Sequence, residues 1–265
     1  MYPERQLHAF DAARAIAARH GMRGAEPRLL SDCNNTIVHL APWPVVAKVA
    51  ETSGRPAARI RLQRELDVAL HLVRTGAPVV PPSPELPIRA HRHGDHALTF
   101  WTYQRQVPNG EPAAGTLHEV HRALETYRAE LPAFRPLPGL HGLCVPEPER
   151  SMLIGEHGRL GAQLEGRTVP WRPLHGDPHR GNLLVTAAGS LWIDFESACL
   201  GPLEWDLSAL PSDDARAWPG VDPELLALLR RARSLRTVVW CRTRAGSGPE
   251  VQRAAATHLE LLRAA

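Results

Sequence analysis

Of the 31 basic Lys and Arg side chains in this 265-residue sequence, only one, Lys48, is a lysine. Arginine can replace lysine at most solvated positions, but not where a compact point charge must fit among buried partners. Lys48 also lies inside an apolar run, Val45-Val46-Ala47-Lys48-Val49, which makes it a candidate functional residue. Cysteine is scarce too. The four present (Cys33, Cys144, Cys199, Cys241) are far apart with no CxxC pair, which excludes a zinc ribbon and a disulfide framework and leaves reduced, partly buried thiols. No stretch approaches the roughly 20 uninterrupted apolar residues of a membrane span. The opening MYPERQLHAFDAARAIAARHG has arginines and an acid among its alanines where a signal core would be apolar. A cytoplasmic protein that neither spans nor binds a membrane is expected. The formal net charge is only +3, its arginines are dispersed, and no basic block with interleaved aromatics is present, so nucleic acid is not an expected partner.

What is present is ordinary for a globular chain: 43% hydrophobic and 22% charged residues. The length allows one large domain or two lobes. Apolar spacing predicts a helix over 1–20 and short strands at Thr36–Leu40 and Val45–Val49, joined by a turn at 41–44. A strong amphipathic helix is expected over 56–74, with Pro56 in its first turn and Gly76 and Pro78 stopping it. Ile60, Leu62, Leu66, Val68, Ala69, Leu70, Leu72 and Val73 form its apolar stripe. The proline-dense 77–87 reads as a connector and 97–103 as a strand. Helices are expected at 115–131 and 151–165, with a proline-rich link between them. Two apolar runs, 183–185 and 191–193, flank Ala187-Ala188-Gly189-Ser190, a hairpin signature. The end of the chain reads as helices at 222–234, 235–245 and 249–263.

Polar clusters bracket the hairpin: His175-Gly176-Asp177-Pro178-His179-Arg180-Gly181-Asn182 before it, and Asp194-Phe195-Glu196 after it. A hairpin returns the chain, so Asp194 is expected beside the loop carrying Asp177 and Asn182. Two carboxylates and an amide oxygen converging there suit Mg²⁺. The spacing H-x-D-x-x-x-x-N is uncommon by chance in a chain with four asparagines.

HGDPHRGN followed by LWIDFE and GPLEWDLSAL resembles the aminoglycoside phosphotransferase and choline kinase family, a branch of the protein-kinase-like fold. The match is best over 175–207, and 105–170 and the last sixty residues carry no matching motif. The resemblance implies an α+β, bilobal fold, with a small antiparallel-sheet nucleotide-binding lobe over 1–103 and a larger, mainly helical catalytic and substrate-binding lobe over 104–265. It implies a phosphotransferase with an alcohol acceptor, using ATP or GTP and Mg²⁺ on a small hydroxylated molecule. Asp177 matches the catalytic aspartate that takes or orients the hydroxyl proton. Asn182 and Asp194 match the metal ligands, Lys48 the lysine on the α/β-phosphates, and Glu65 its helix partner. His175 and Asp206 match residues that brace the catalytic loop. The strand ending at Trp101, Thr102 and Tyr103 matches the linker against which nucleotide lies. The physics agrees, since phosphoryl transfer asks mainly for positioning and for cations facing phosphate charge.

Two features depart from a protein kinase. Phe195-Glu196 stands where Phe-Gly is usual, and the loop Ser31–Thr36 has no glycine. Asn34, Asn35 and Thr36 are the candidates there for phosphate contact. A non-catalytic nucleotide-binding module is the alternative that the missing glycines favour. A metallophosphoesterase built on Gly176-Asp177-Pro178-His179 is a further one, although the next histidine, His258, is distant. His179 reads as a loop histidine and Trp171, Trp192 and Trp205 as core. The arginines of 230–244 read as a solvated helix face. Residues 151–265 hold thirteen Asp/Glu and thirteen Arg, without the acidic excess of a polycation pocket, so an amino alcohol, a sugar or another natural product fits as well as an aminoglycoside. No oligomeric state follows from the sequence.

Overall fold

Helix α1 (Glu4–Arg19) buries Ala9, Phe10, Ala13, Ile16 and Ala17 along one face. That face shares a core with Val38, Leu40, Val45, Ala47, Leu98 and Phe100. The computed structural model describes residues 3–50, 56–108, 110–113, 115–243 and 248–264. Five strands follow one another in an antiparallel sheet: β1 (Glu26–Asp32), β2 (Asn35–Ala41), β3 (Val45–Ala50), β4 (His91–His93) and β5 (His96–Thr102), in the order β1-β2-β3-β5-β4. β3 is therefore central, and Lys48 sits opposite Ile37 on one side and Thr99 on the other. The expected strands 36–40, 45–49 and 97–103 fall within one residue of β2, β3 and β5. β1 and β4 have no counterpart in the sequence reading.

Between β3 and β4 runs α2 (Pro56–Arg74), with the limits its periodicity predicts. Ala58, Leu62, Leu66, Val68, Ala69 and Leu72 are buried, each large side chain contributing about 1.5–3 kcal/mol relative to exposure. Ile60, counted in the predicted stripe, is 63% exposed. Gly76, at φ +76°, ends the helix: its N–H donates to the Val73 carbonyl and that of Ala77 to the Leu72 carbonyl, the paired bonds of a left-handed helix stop. Helix α3 (Thr116–Leu124) is shorter than the 115–131 expected. The Thr126 hydroxyl donates back to the Ala123 carbonyl at 2.8 Å, and buried Tyr127 meets His71 edge-on, so local side-chain bonds replace the next turn.

The chain divides into two compact units, Met1–Glu130 with Asp177–Ala198, and Leu131–Gly176 with Cys199–Ala265. Helix α4 (Glu149–Leu164) and strand β6 (Arg172–Leu174) belong to the second. The excursion 177–198 belongs to the first, with the hairpin β7 (Leu183–Thr186) and β8 (Gly189–Trp192) turning at Ala187-Ala188. The second unit resumes with β9 (Cys199–Gly201), paired to β6, and helices α5 (Leu203–Leu207), α6 (Ser212–Arg216), α7 (Pro223–Arg242) and α8 (Pro249–Arg263). Its core joins Leu153, Leu160, Trp205, Leu229, Leu235, Val238 and Leu259.

α7 is one 20-residue helix, where the sequence reading divides it at 234/235. No proline or glycine interrupts 224–242, so nothing breaks the ladder. Its arginines are not simply a solvated face. Arg233 stacks on Trp205 at 4.1 Å, Arg231 pairs with Glu156 at 2.9 Å, and Arg242 pairs with Glu149 at 2.8 Å. Trp192 and Trp205 are core, but Trp171 is 52% exposed, correcting its expected burial. Among the described residues no helix is long and apolar enough to cross a membrane.

Candidate active site

Lys48 is 5% exposed and Glu65 1%. A charge so deeply buried is unfavourable without partners, and α2 and the segment that follows β8 supply them. The Lys48 ammonium donates to both Glu65 oxygens, at 2.9 and 2.8 Å, and to Asp194 Oδ1 at 2.6 Å. Glu196 Oε2 lies 3.6 Å from the same nitrogen and accepts from the Asn35 amide at 3.3 Å. Burial alone would push the ammonium down, but Glu65, Asp194 and Glu196 outweigh it and hold Lys48 above the usual lysine range. Burial raises Glu65, Lys48 pulls it back, and Asp194 and Glu196 push it up again, leaving the carboxyl at about 7.

Asp194 reaches this cluster from a strained backbone. Its φ of +68° and ψ of +58° are left-handed, and it is the one non-glycine residue at positive φ among those described. Such a conformation costs about 1–2 kcal/mol for most residues and tends to persist where surrounding contacts hold it. Phe195 behind it is fully buried. α2 grips the same segment, since Arg64 donates to the Glu196 carbonyl at 3.1 Å.

Glu65, Asp194 and Glu196 can each turn one oxygen to within 4.8 Å of the others. Three carboxylates and one ammonium make a site of net charge −2 when all are ionised, and hard oxygen donors of this kind suit a divalent cation such as Mg²⁺. Asn182 is also buried. Its side-chain amide donates to the Asp177 carbonyl at 2.9 Å, so its oxygen is the atom it can offer a cation. Asp177 and Asn182 are thus tied together across the turn Arg180–Asn182, and that turn leads directly into β7.

In the second unit the fully buried Asp206 accepts the His175 N–H at 2.8 Å and the Gly176 N–H at 2.9 Å. Trp205 Nε1 donates to the Gly176 carbonyl at 2.7 Å. The two residues that precede Asp177 in the chain are therefore held by a carboxylate and an indole. His175 itself is fully buried.

Trp101, Thr102 and Tyr103 stand apart from the ammonium. Trp101 and Thr102 pair with Val46 and Val45, two and three residues along β3 from Lys48. Trp101 Nε1 donates to Thr99 Oγ1 at 3.0 Å, and Tyr103 stacks on His39 with ring centres 3.9 Å apart. In the glycine-free turn, the Thr36 hydroxyl donates to Asp32 at 2.9 Å, Gln6 and Arg5 also bind Asp32, and the Asn35 amide is on Glu196. Burial pushes the Asp32 carboxyl up, but the Gln6, Thr36 and Arg5 donors outweigh it and hold it below its usual range. Side-chain bonds close this turn in place of glycines. Asn35 and Thr36, expected to contact phosphate, instead donate to Glu196 and Asp32, and Glu196 is the cluster member whose role sequence reasoning did not assign. The signal available was Glu196, two positions after Asp194 where a glycine is usual.

With this geometry in place the comparisons are decisive about family. The phosphotransferase enzyme family matches residues 2–242. The chain belongs to that family. It is accordingly a phosphotransferase. Among solved structures, an amicoumacin kinase in complex with AMP-PNP, Ca²⁺ and Ami is 12% identical, covers 99% of this chain and 96% of its own, and superposes with a TM-score of 0.70. A spectinomycin phosphotransferase in complex with ADP and spectinomycin is also 12% identical, with 96% and 98% covered and a TM-score of 0.67. A choline/ethanolamine kinase family protein from Mesorhizobium loti is 16% identical, with 95% and 92% covered and a TM-score of 0.62. No curated protein sequence matches significantly. At these identities the structures speak for the kinase-like fold, as the sequence motifs anticipate.

Proposed function

We propose that this phosphotransferase moves the γ-phosphoryl group of ATP or GTP to a hydroxyl of a small molecule, with Mg²⁺. The observation that carries this reading is the buried Lys48 ammonium held between Glu65 on α2 and Asp194 after the hairpin. Residues 146 positions apart in sequence meet there, and the arrangement suits an anionic ligand with its counter-ion better than it suits stability, which a buried ion pair serves poorly.

In this reading residues 1–103 form the nucleotide-binding lobe, with Trp101–Tyr103 lining the base, and 104–265 carry catalysis and acceptor binding. This is a functional division, different from the compact units. Lys48 donates to the α/β-phosphates and Glu65 keeps it aimed. Asp194 and Asn182 hold the metal, which when bound neutralises charge on the β/γ-phosphates. Asp177 receives the proton of the acceptor hydroxyl as that oxygen bonds to the γ-phosphorus and the bond to the bridging β,γ-oxygen breaks, releasing the nucleoside diphosphate. His175 and Asp206 brace the loop.

Amicoumacin and spectinomycin as acceptors of similar structures, together with the choline/ethanolamine kinase family protein, support a hydroxylated antibiotic or an amino alcohol. The even balance of thirteen acids and thirteen arginines over 151–265 argues for an acceptor that is not a polycation. The test is ADP release from Mg²⁺·ATP, and GDP release from Mg²⁺·GTP, with a panel of amino alcohols, aminoglycosides and other hydroxylated antibiotics. At least one acceptor should stimulate turnover. Asp177→Asn should then lose about 10²–10⁴ in kcat while still binding a fluorescent ATP analogue. A wild-type chain that binds neither nucleotide would overturn the reading.

A further inference from the structure

His179 is half exposed, yet both of its ring nitrogens face a partner. Its Nδ1 accepts the Gly181 N–H at 3.0 Å, capping the turn Arg180–Asn182. An imidazole nitrogen that accepts carries no proton, so the neutral ring bears its hydrogen on Nε2. That Nε2 faces Asp177 Oδ2 at 3.6 Å. The surrounding backbone is closed on itself. The His179 N–H donates to the Asp177 carbonyl at 2.9 Å and the Asn182 N–H to the His179 carbonyl at 2.8 Å.

Gly181 supplies an independent sign that the ring's seat matters. Its backbone is not in the left-handed region, so conformation alone does not call for glycine. A Cβ there would lie 2.8 Å from His179 Cε1 and 2.9 Å from Nδ1. The missing side chain is what lets the imidazole lie over the amide.

We propose that His179 is a positioning residue for Asp177, its Nε2–H fixing one carboxylate oxygen so that the other is presented to the acceptor hydroxyl. This rests on the phosphoryl-transfer reading above. A separation of 3.6 Å is longer than a hydrogen bond, but catalytic hydrogen bonds without substrate are commonly long and shorten in the complex. The partial exposure of both side chains leaves room for that closure. The proton-accepting role stays with Asp177, and His179 neither gives nor takes a proton in the step.

Two substitutions separate the ring's two ends. His179→Asn keeps an acceptor where Nδ1 caps Gly181 and removes the distal N–H. His179→Gln carries an N–H to the position of Nε2 and gives up the cap. With Mg²⁺·ATP and water as the acceptor, His179→Asn should lower kcat about 10–100-fold, with the KM for ATP within twofold of wild type. His179→Gln should turn over several-fold faster than His179→Asn. Gly181→Ala, which pushes the ring away, should fall with His179→Asn. Equal loss in the Asn and Gln variants with a raised KM, or no loss in His179→Asn, would overturn the proposal.

Histidine ¹⁵N shifts of the whole chain provide a readout that needs no turnover. A bare Nδ1 and a protonated Nε2 are expected for residue 179, and the opposite tautomer refutes the assignment. A wild-type chain that binds Mg²⁺·ATP but turns it over with neither water nor any acceptor of the panel counts against phosphoryl transfer, and the nitrogen shifts then decide the histidine's place separately.

Discussion

Replacing Lys48 by methionine removes the only cation among Glu65, Asp194 and Glu196 that the described contacts place there. Truncating one partner of a buried pair leaves the other uncompensated, at about 3–5 kcal/mol. With roughly 2–4 °C lost per kcal/mol in a chain of this size, the melting temperature should fall by about 6–20 °C. The sign with pH is the sharper test. Glu65 stands at about 7 when folded against an ordinary 4.5. Its folded value is raised, so its contribution is fully present below about pH 4.5 and is lost as pH rises through about 7. At about pH 5.5 Glu65 is largely neutral with or without the ammonium, and methionine there forfeits chiefly the contact with Asp194. At about pH 8.5 the wild-type carboxylate is ionised and paired, whereas the variant must bury the charge or bind a proton against the solution. The deficit, measured as wild type minus variant in urea or thermal melts, should therefore be larger at the higher pH. The double variant K48M/E65L should recover part of the loss, since apolar replacements of a buried pair are often neutral or better. A deficit equal at both pH values, or larger at about pH 5.5, would refute this account of the cluster.

Other perturbations follow from single contacts. Asp206→Asn leaves one of two buried backbone N–H groups facing an amide instead of a carboxylate, and should cost about 2–3 kcal/mol in urea denaturation, accompanied by faster hydrogen exchange at His175 and Gly176. Asp222 accepts from the Glu224 and Leu225 N–H groups at 2.9 and 3.1 Å, so Asp222→Ala should destabilise α7 by about 1 kcal/mol, seen as a lower denaturation midpoint with an unchanged slope.

α2 was readable because its signals agreed: proline at the start, a 3.6-residue stripe, glycine at the stop. The hairpin 183–192 was readable for the same reason, two apolar runs around a small-residue turn. β1 was not, because its residues are mostly exposed or half-buried, so no apolar alternation marks it, and a register shift between Leu29 and Ser31 breaks the period. β4 is three residues, two of them histidine, too short to carry a pattern. At the site, Lys48 and Asp194 could be nominated because charge inside apolar runs is conspicuous, whereas Glu65, in the charged stretch Arg64-Glu65-Leu66-Asp67, was reached only through the family resemblance. Glu196 could not be given a role, and Asn35 was read toward phosphate and not toward Glu196. Their meeting depends on a left-handed residue at 194 and on the closure of the 33–34 turn, neither of which is written in residue type alone.

A chain with a single lysine brings a spectroscopic convenience. Lysine labelled with ¹⁵N at the side-chain nitrogen contributes one Nζ resonance, and here that resonance comes from the 48 position between Glu65 and Asp194. Titrating nucleotides, metals or antibiotics against that one signal would report on the carboxylate cluster without assigning the rest of the spectrum. The same economy applies to acylating probes. Their only ε-amine target is a buried, ion-paired nitrogen, so resistance to acylation measures how firmly the strand and helix hold it.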